Sequence, residues 1–165
     1  MFEVLAFVYE NYYAEDACPE PAHLQRKLQA VGFEADEVTE AMDWLNGLSS
    51  AARFARPMAT DLPTVVHSTW LHLPAPGSIR VYSVPEQNHL GAQCLGYLSF
   101  MDAAGVLPAH IREVVMDRTM ATPRAPVALE DLKIIILMVF WSFGQEPNAL
   151  VLDELCDDAG HRIAH

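Results

Sequence analysis

The chain has 165 residues, of which 52% are AVILMFWYC and 19% are DEKR, enough apolar side chain to bury a core and to exclude a wholly disordered chain. Against 10 Lys and Arg stand 22 Asp and Glu, a formal charge of −12 that repels a phosphate backbone unless the basic residues gather on one face. One compact domain over 1–165 is expected, divisible at most into a helical and β-hairpin subdomain over 1–83 and a helical subdomain over 84–160.

Phe2, Leu5, Tyr9 and Tyr12 follow the helical period, which predicts a first helix over 2–13. From Pro21 the set Leu24, Leu28 and Val31 recurs at helical spacing, Gly32 suits a C-terminal position with positive φ, and Phe33 can close over that turn. Asp36 then precedes Val38, Ala41, Met42 and Leu45, and Asn46-Gly47 stops the pattern, so 22–48 reads as a helical hairpin. Thr64 to Leu71 favours a strand, Pro74-Ala75-Pro76-Gly77 a turn, and Ile79-Arg80-Val81-Tyr82 alternates apolar with polar; together these predict a small β-hairpin near 64–83. Beside the two preceding helices such a hairpin would make the N-terminal half winged-helix-like.

Pro85 opens a fourth helix that runs through Leu90, Cys94, Tyr97, Leu98 and Met101 to Gly105 with a continuous apolar face. Pro108 opens a fifth, carrying Ile111, Val114, Val115 and, on the same stripe, Arg118. A sixth, Leu129 to Phe143, is apolar nearly all round and belongs at the centre of the bundle. Pro147 begins an acidic seventh with Leu150, Val151, Leu152 and Leu155. The fold expected is mainly α, about seven helices with one small hairpin. Its most apolar run, Ile134 to Trp141, is too short for the ~20 residues of a membrane span. The N-terminus lacks the basic region and cleavage site of a secretory signal, and Cys18, Cys94 and Cys156 form no CxxC pair, so reduced thiols in the cytoplasm are expected.

Catalytic signatures are absent: no GxSxG, HExxH or GxxxxGK[ST] occurs, and no cofactor is expected. Cys156, His161 and His165 have zinc-like donors, but Gly160 interrupts their alignment and a fourth ligand is missing, so no metal is expected there. His67 and His72, five apart in a presumed strand, point to opposite faces. Arg118 must find a partner if buried, with Glu130 or Asp131 the natural carboxylates; with Arg80 and Arg112 it is also a candidate for binding an anion or a partner.

Several ordered segments resemble the bacterial Smg family: Met1-Phe2-Glu3-Val4-Leu5, Gly32-Phe33 followed by Ala41-Met42-Asp43-Trp44-Leu45, and Arg80-Val81-Tyr82-Ser83 followed by Glu86. Cys94-Leu95-Gly96-Tyr97-Leu98, Arg112 to Arg118 and Leu129-Glu130-Asp131-Leu132-Lys133 continue the resemblance over nearly the whole chain. Two departures stand out, Leu95 where the family tends to place arginine and a longer Pro-rich connection before Arg80. The resemblance implies a cytoplasmic protein with no established biochemical activity, often encoded beside a DNA-processing protein.

The first functional expectation is a non-catalytic acidic helical adaptor that docks on a basic surface of another protein, such as a DNA-processing factor, with no direct DNA binding, no membrane contact and no small-molecule ligand. The alternative is a winged-helix-like nucleic-acid binder using Arg26, Lys27, Arg53, Arg56 and Arg80, which requires those side chains to converge. A small metal protein or enzyme is the third.

Overall fold

The computed structural model describes residues 1–12, 21–55 and 79–145. Over these the chain forms six helices: α1 (Phe2–Tyr12), α2 (Pro21–Val31), α3 (Ala35–Ala55), α4 (Val84–Ala103), α5 (Ala109–Met120) and α6 (Leu129–Ser142). The centre is α6, where every residue from Asp131 to Phe140 is buried, as a sequence apolar on all sides requires. Around it pack α1, α3, α4 and α5, and α2 lies against α3.

The α2–α3 junction forms as its sequence dictates. Gly32 adopts φ 111°, the Phe33 N–H donates to the Leu28 carbonyl at 3.3 Å, and the Phe33 ring meets Phe7 edge-on at 5.5 Å. Beyond it, the expected stop at Asn46-Gly47 does not occur, and α3 continues to Ala55, burying Leu48 and Ala52. Gly47 is in mid-helix for another reason: a Cβ there would collide with the guanidinium of Arg118 on α5. The glycine that looks like a terminator is a seat for an arginine.

The fourth helix is not continuous either. At Gly91 the backbone turns to φ 73° and ψ 171°, splitting α4 into two segments. The α5–α6 connection lies against the break: the Val127 N–H donates to the His89 carbonyl at 2.9 Å, and the Cys94 thiol donates to the Val127 carbonyl at 3.3 Å. From the other side, His89 Nε2–H donates to the Thr119 carbonyl at 3.0 Å and to the Thr122 hydroxyl at 3.1 Å, which fixes the tautomer because a carbonyl only accepts.

No strand occurs among the described residues, which corrects the predicted hairpin. Ile79 and Val81 are 89% and 85% exposed, while Arg80 turns to the carboxylates of Glu86 and Glu113. The alternation at 79–82 therefore records an ion pair on the lead-in to α4 and not a pleated sheet. Without that strand the winged-helix arrangement fails. Six helices stand among the described residues where about seven are expected. The candidate seventh, from Pro147, and the candidate strand Thr64–Leu71 lie outside the described residues. No helix of the described residues is long and apolar enough to cross a membrane.

Ile135 is completely buried, so Ile135→Ala is expected to cost roughly 2–5 kcal/mol in urea denaturation, through lost transfer energy and the cavity left behind. Two glycines of α4 are expected to respond oppositely. Gly91→Ala, at positive φ, loses about 1–2 kcal/mol, whereas Gly96→Ala, whose Cβ would meet nothing within 4 Å, gains about 0.5–1 kcal/mol.

Candidate interaction surface

Ser83 and Glu86 have the spacing of a capping box, and the Ser83 N–H and hydroxyl both donate to Glu86 Oε2, at 2.7 and 2.9 Å. The same carboxylate takes Arg80 Nη2 at 2.7 Å, while Arg80 Nε reaches Glu113 Oε1 at 3.0 Å. Glu113, on α5, is the hub: its Oε1 also accepts from Arg112 Nε at 3.2 Å, and Arg112 Nη1 pairs with Asp102 at 2.8 Å. Arg80 stacks on the Tyr82 ring at 4.6 Å. The Arg80 hydrogen bond holds the Glu86 carboxyl down to about 2, and the Glu86 hydrogen bond in turn raises Arg80. Burial pushes the Tyr82 hydroxyl up.

Arg118 lies where its spacing places it, on the apolar stripe of α5, with its side chain largely covered and its guanidinium against Gly47. Its partner is its neighbour Asp117, at 2.7 Å from Nη2 and 2.9 Å from Nε, instead of Glu130 or Asp131. The reason is direction: the guanidinium lies against Gly47 of α3, where Asp117 is within reach. Across the same seam the Trp44 indole donates to the Arg118 carbonyl at 3.0 Å.

Two clefts open along this seam, and a third adjoins them where α1 and the start of α3 meet the α5–α6 connection. The first, about 580 Å³, lies between α3 and α5 and is lined by Ala51, Phe54, His110 and Val114, with Glu113 and Asp117 at its edge. The second, about 320 Å³, is lined by Glu40, Asp43 and Trp44, and shares Arg118 with the first. The third, about 410 Å³, is lined by Glu3, Glu37, Arg124 and Asp131, and shares Glu40 and Pro123 with the second. Glu37 and Glu40 also face the N-terminal ammonium, at 3.7 and 3.8 Å.

The structure thus joins Arg80 to Arg112 through Glu113 but keeps Arg118 apart with its own carboxylate. Of the residues named for nucleic acid, Arg26 and Lys27 are exposed on α2, Lys27 lying 5.1 Å from the Tyr12 ring, and Arg53 is exposed in the last turn of α3. Arg53 is roughly 27 Å along α3 from the α2–α3 connection and Lys27 only about 6 Å along α2, so these two lie far apart along the helical hairpin. Arg56, Cys156, His161, His165, His67 and His72 lie outside the described residues. Among the described residues no group of three or more His, Cys, Asp or Glu is placed to hold a metal ion. Sequence reasoning missed Glu113, Gly47 and Phe54, none of which has a local signal; Glu86, the other partner of Arg80, has one in the Ser83–Glu86 capping spacing.

Comparison with known proteins gives one consistent result. The family DUF494, described as a protein of unknown function, matches residues 1–165. Similar proteins named as Smg homologues include those of Leptothrix cholodnii, 49% identical over 165 residues, and Methylibium petroleiphilum, 50% identical over 165 residues, each alignment covering 100% of both chains. That of Bordetella pertussis is 41% identical, again over 100% of both chains. No solved structure matches.

The depressed Glu86 carboxyl sets a pH dependence. Its folded value of about 2 lies below the ordinary 4.5, so its stabilisation is complete above about 4.5 and is lost as pH falls through about 2. In urea titrations Glu86→Gln is expected to be less stable than the parent by on the order of 1 kcal/mol at neutral pH, the gap closing as the pH falls.

Proposed function

We propose a protein-docking role for this chain, which belongs to the DUF494 family of Smg homologues: it binds a partner protein through its acidic α3 side and catalyses nothing. The observation that carries this reading is the unequal fate of its charges. Arg80, Arg112 and Arg118 are engaged by carboxylates of the same chain, while at the open clefts along the start of α3 the exposed Asp43, with Glu37 and Glu40 sharing one N-terminal ammonium, leaves carboxylates in excess. The negative potential so left favours a basic partner and speeds its encounter.

Other chemistry finds little support. Ser50, Ser99 and Ser142 donate to carbonyls of their own helices, and burial pushes the Cys94 thiol up to about 11, far from a reactive thiolate. A nucleic-acid role is disfavoured by the engagement of Arg80 and the separation of Arg53 from Lys27. A cytoplasmic DNA-processing protein is the partner that the family resemblance suggests.

The test uses affinity capture from the native bacterium, followed by binding kinetics with the purified partner. Association is expected to slow as salt rises from about 0.05 to 0.5 M, with dissociation little changed. Labelled single-stranded and duplex DNA should show no binding at physiological salt by fluorescence anisotropy. Micromolar DNA binding that falls steeply with salt would replace docking by nucleic-acid recognition.

A further inference from the structure

The three clefts along α3 differ in chemistry from end to end. At the C-terminal end Phe54 is 91% exposed beside Ala51, Ala55 and Val114. The charges around that end neutralise one another, Glu113 against Arg80 and Arg112, and Asp117 against Arg118. At the other end Glu40 and Asp43 line the second cleft, and Glu3, Glu37 and Asp131 the third, against Arg124 and the N-terminal ammonium. Because Arg118 is common to the first and second clefts and Glu40 to the second and third, the clefts form one track. From Phe54 to Glu40 the track measures roughly 21 Å, a length that about 14 helical or six to seven extended residues would span.

We infer that this track seats a segment of a partner protein that carries an apolar or aromatic side chain at one end and lysines or arginines at the other, with the apolar end over Phe54. The inference rests on the docking role proposed above and adds to it the seat and the direction. The direction follows from the charges: around Glu40 and Asp43 carboxylates outnumber cations, Glu37 and Glu40 sharing the single N-terminal ammonium, whereas the carboxylates near Phe54 are each matched by an arginine. A second copy of this chain is a poor occupant, having a net charge of −12 and its α5 arginines engaged.

The probe is a displayed library of random 16-residue peptides, selected on the full chain and then resynthesised with a fluorescent label. Selected peptides should combine a basic cluster with an apolar or aromatic residue. Phe54→Ser and the pair Glu40→Lys with Asp43→Lys should each weaken them by about tenfold or more. Ser50→Trp, which fills the apolar cleft from an exposed position, is the second variant should Phe54→Ser lower the melting temperature. A spin label on the apolar end of the peptide should broaden the amide signals of 51–55 and spare 40–43. No enrichment, equal binding to all variants, or broadening confined to 40–43 would overturn the inference. The two readings fail separately: a partner whose salt-sensitive binding is untouched by every groove variant removes the seat and leaves the docking role, whereas DNA binding removes the role itself.

Discussion

A helix that is apolar on every face must be enclosed on every face, and α6 imposes that condition on the whole chain. Burying each Ile, Leu or Phe of the run from Asp131 to Phe140 contributes on the order of 1.5–3 kcal/mol, but only where neighbours exclude water from all sides. Four helices, α1, α3, α4 and α5, therefore pack on it. Its polar members are drawn inward with the rest: Asp131 and Lys133 are buried, and Lys133 Nζ lies 5.8 Å from the Tyr97 ring. The connection that delivers the chain into α6 has to cross α4, and the break at Gly91 frees the His89 carbonyl to accept the Val127 N–H there.

Enclosure also determines where the charges lie. α5 packs on α3, α4 and α6, so its arginines start from a helix with little free surface. A guanidinium keeps its charge, and a covered one needs a carboxylate, so each extends along a seam to the nearest: Arg112 to Asp102 and Glu113, Arg118 to Asp117. Of these pairs only Arg112–Asp102 ties α5 to a neighbouring helix, α4, and with Arg80 on Glu86 and Glu113 the pairs cancel arginine and carboxylate charge together at this end of the molecule. The excess negative charge of the chain is therefore expressed elsewhere, the start of α3 included.

The elements legible in the sequence are those whose cause is local. The α2 stop at Gly32 and the central placement of α6 follow from periodicity and turn chemistry confined to a few residues, and both are found. The misreadings share a different cause, a partner far away in sequence. Gly47 looks like a terminator because nothing nearby announces Arg118, 71 positions on. Arg80 looks like the polar half of a strand because Glu113 lies 33 positions away. The spacing of Arg118 flagged it as out of pattern, but the choice between Asp117 and the α6 carboxylates depends on how α5 is rotated over α3, which no periodicity states. Phe54 escaped notice because the pattern reads as stopping at Asn46-Gly47, which leaves residue 54 outside any expected helix, whereas α3 runs to Ala55.

The polarity of the α3 surface follows from a constraint on the helix itself. The first turn of α3 carries Asp36 and Glu37 and its last turn Arg53, the arrangement that complements the partial charges at the two ends of a helix. Glu40 and Asp43 extend the negative end by two further turns, along the side that opens to the clefts. Residues that favour the start of α3 therefore also make one end of the track attractive to cations. At the other end the demand is apolar closure of the α3–α5 seam, which Ala51, Ala52 and Val114 supply, and Phe54 continues that seam into solvent. Helix stability and seam packing act on opposite ends of the same 21-residue helix, so a directional surface arises from folding requirements before any partner is involved.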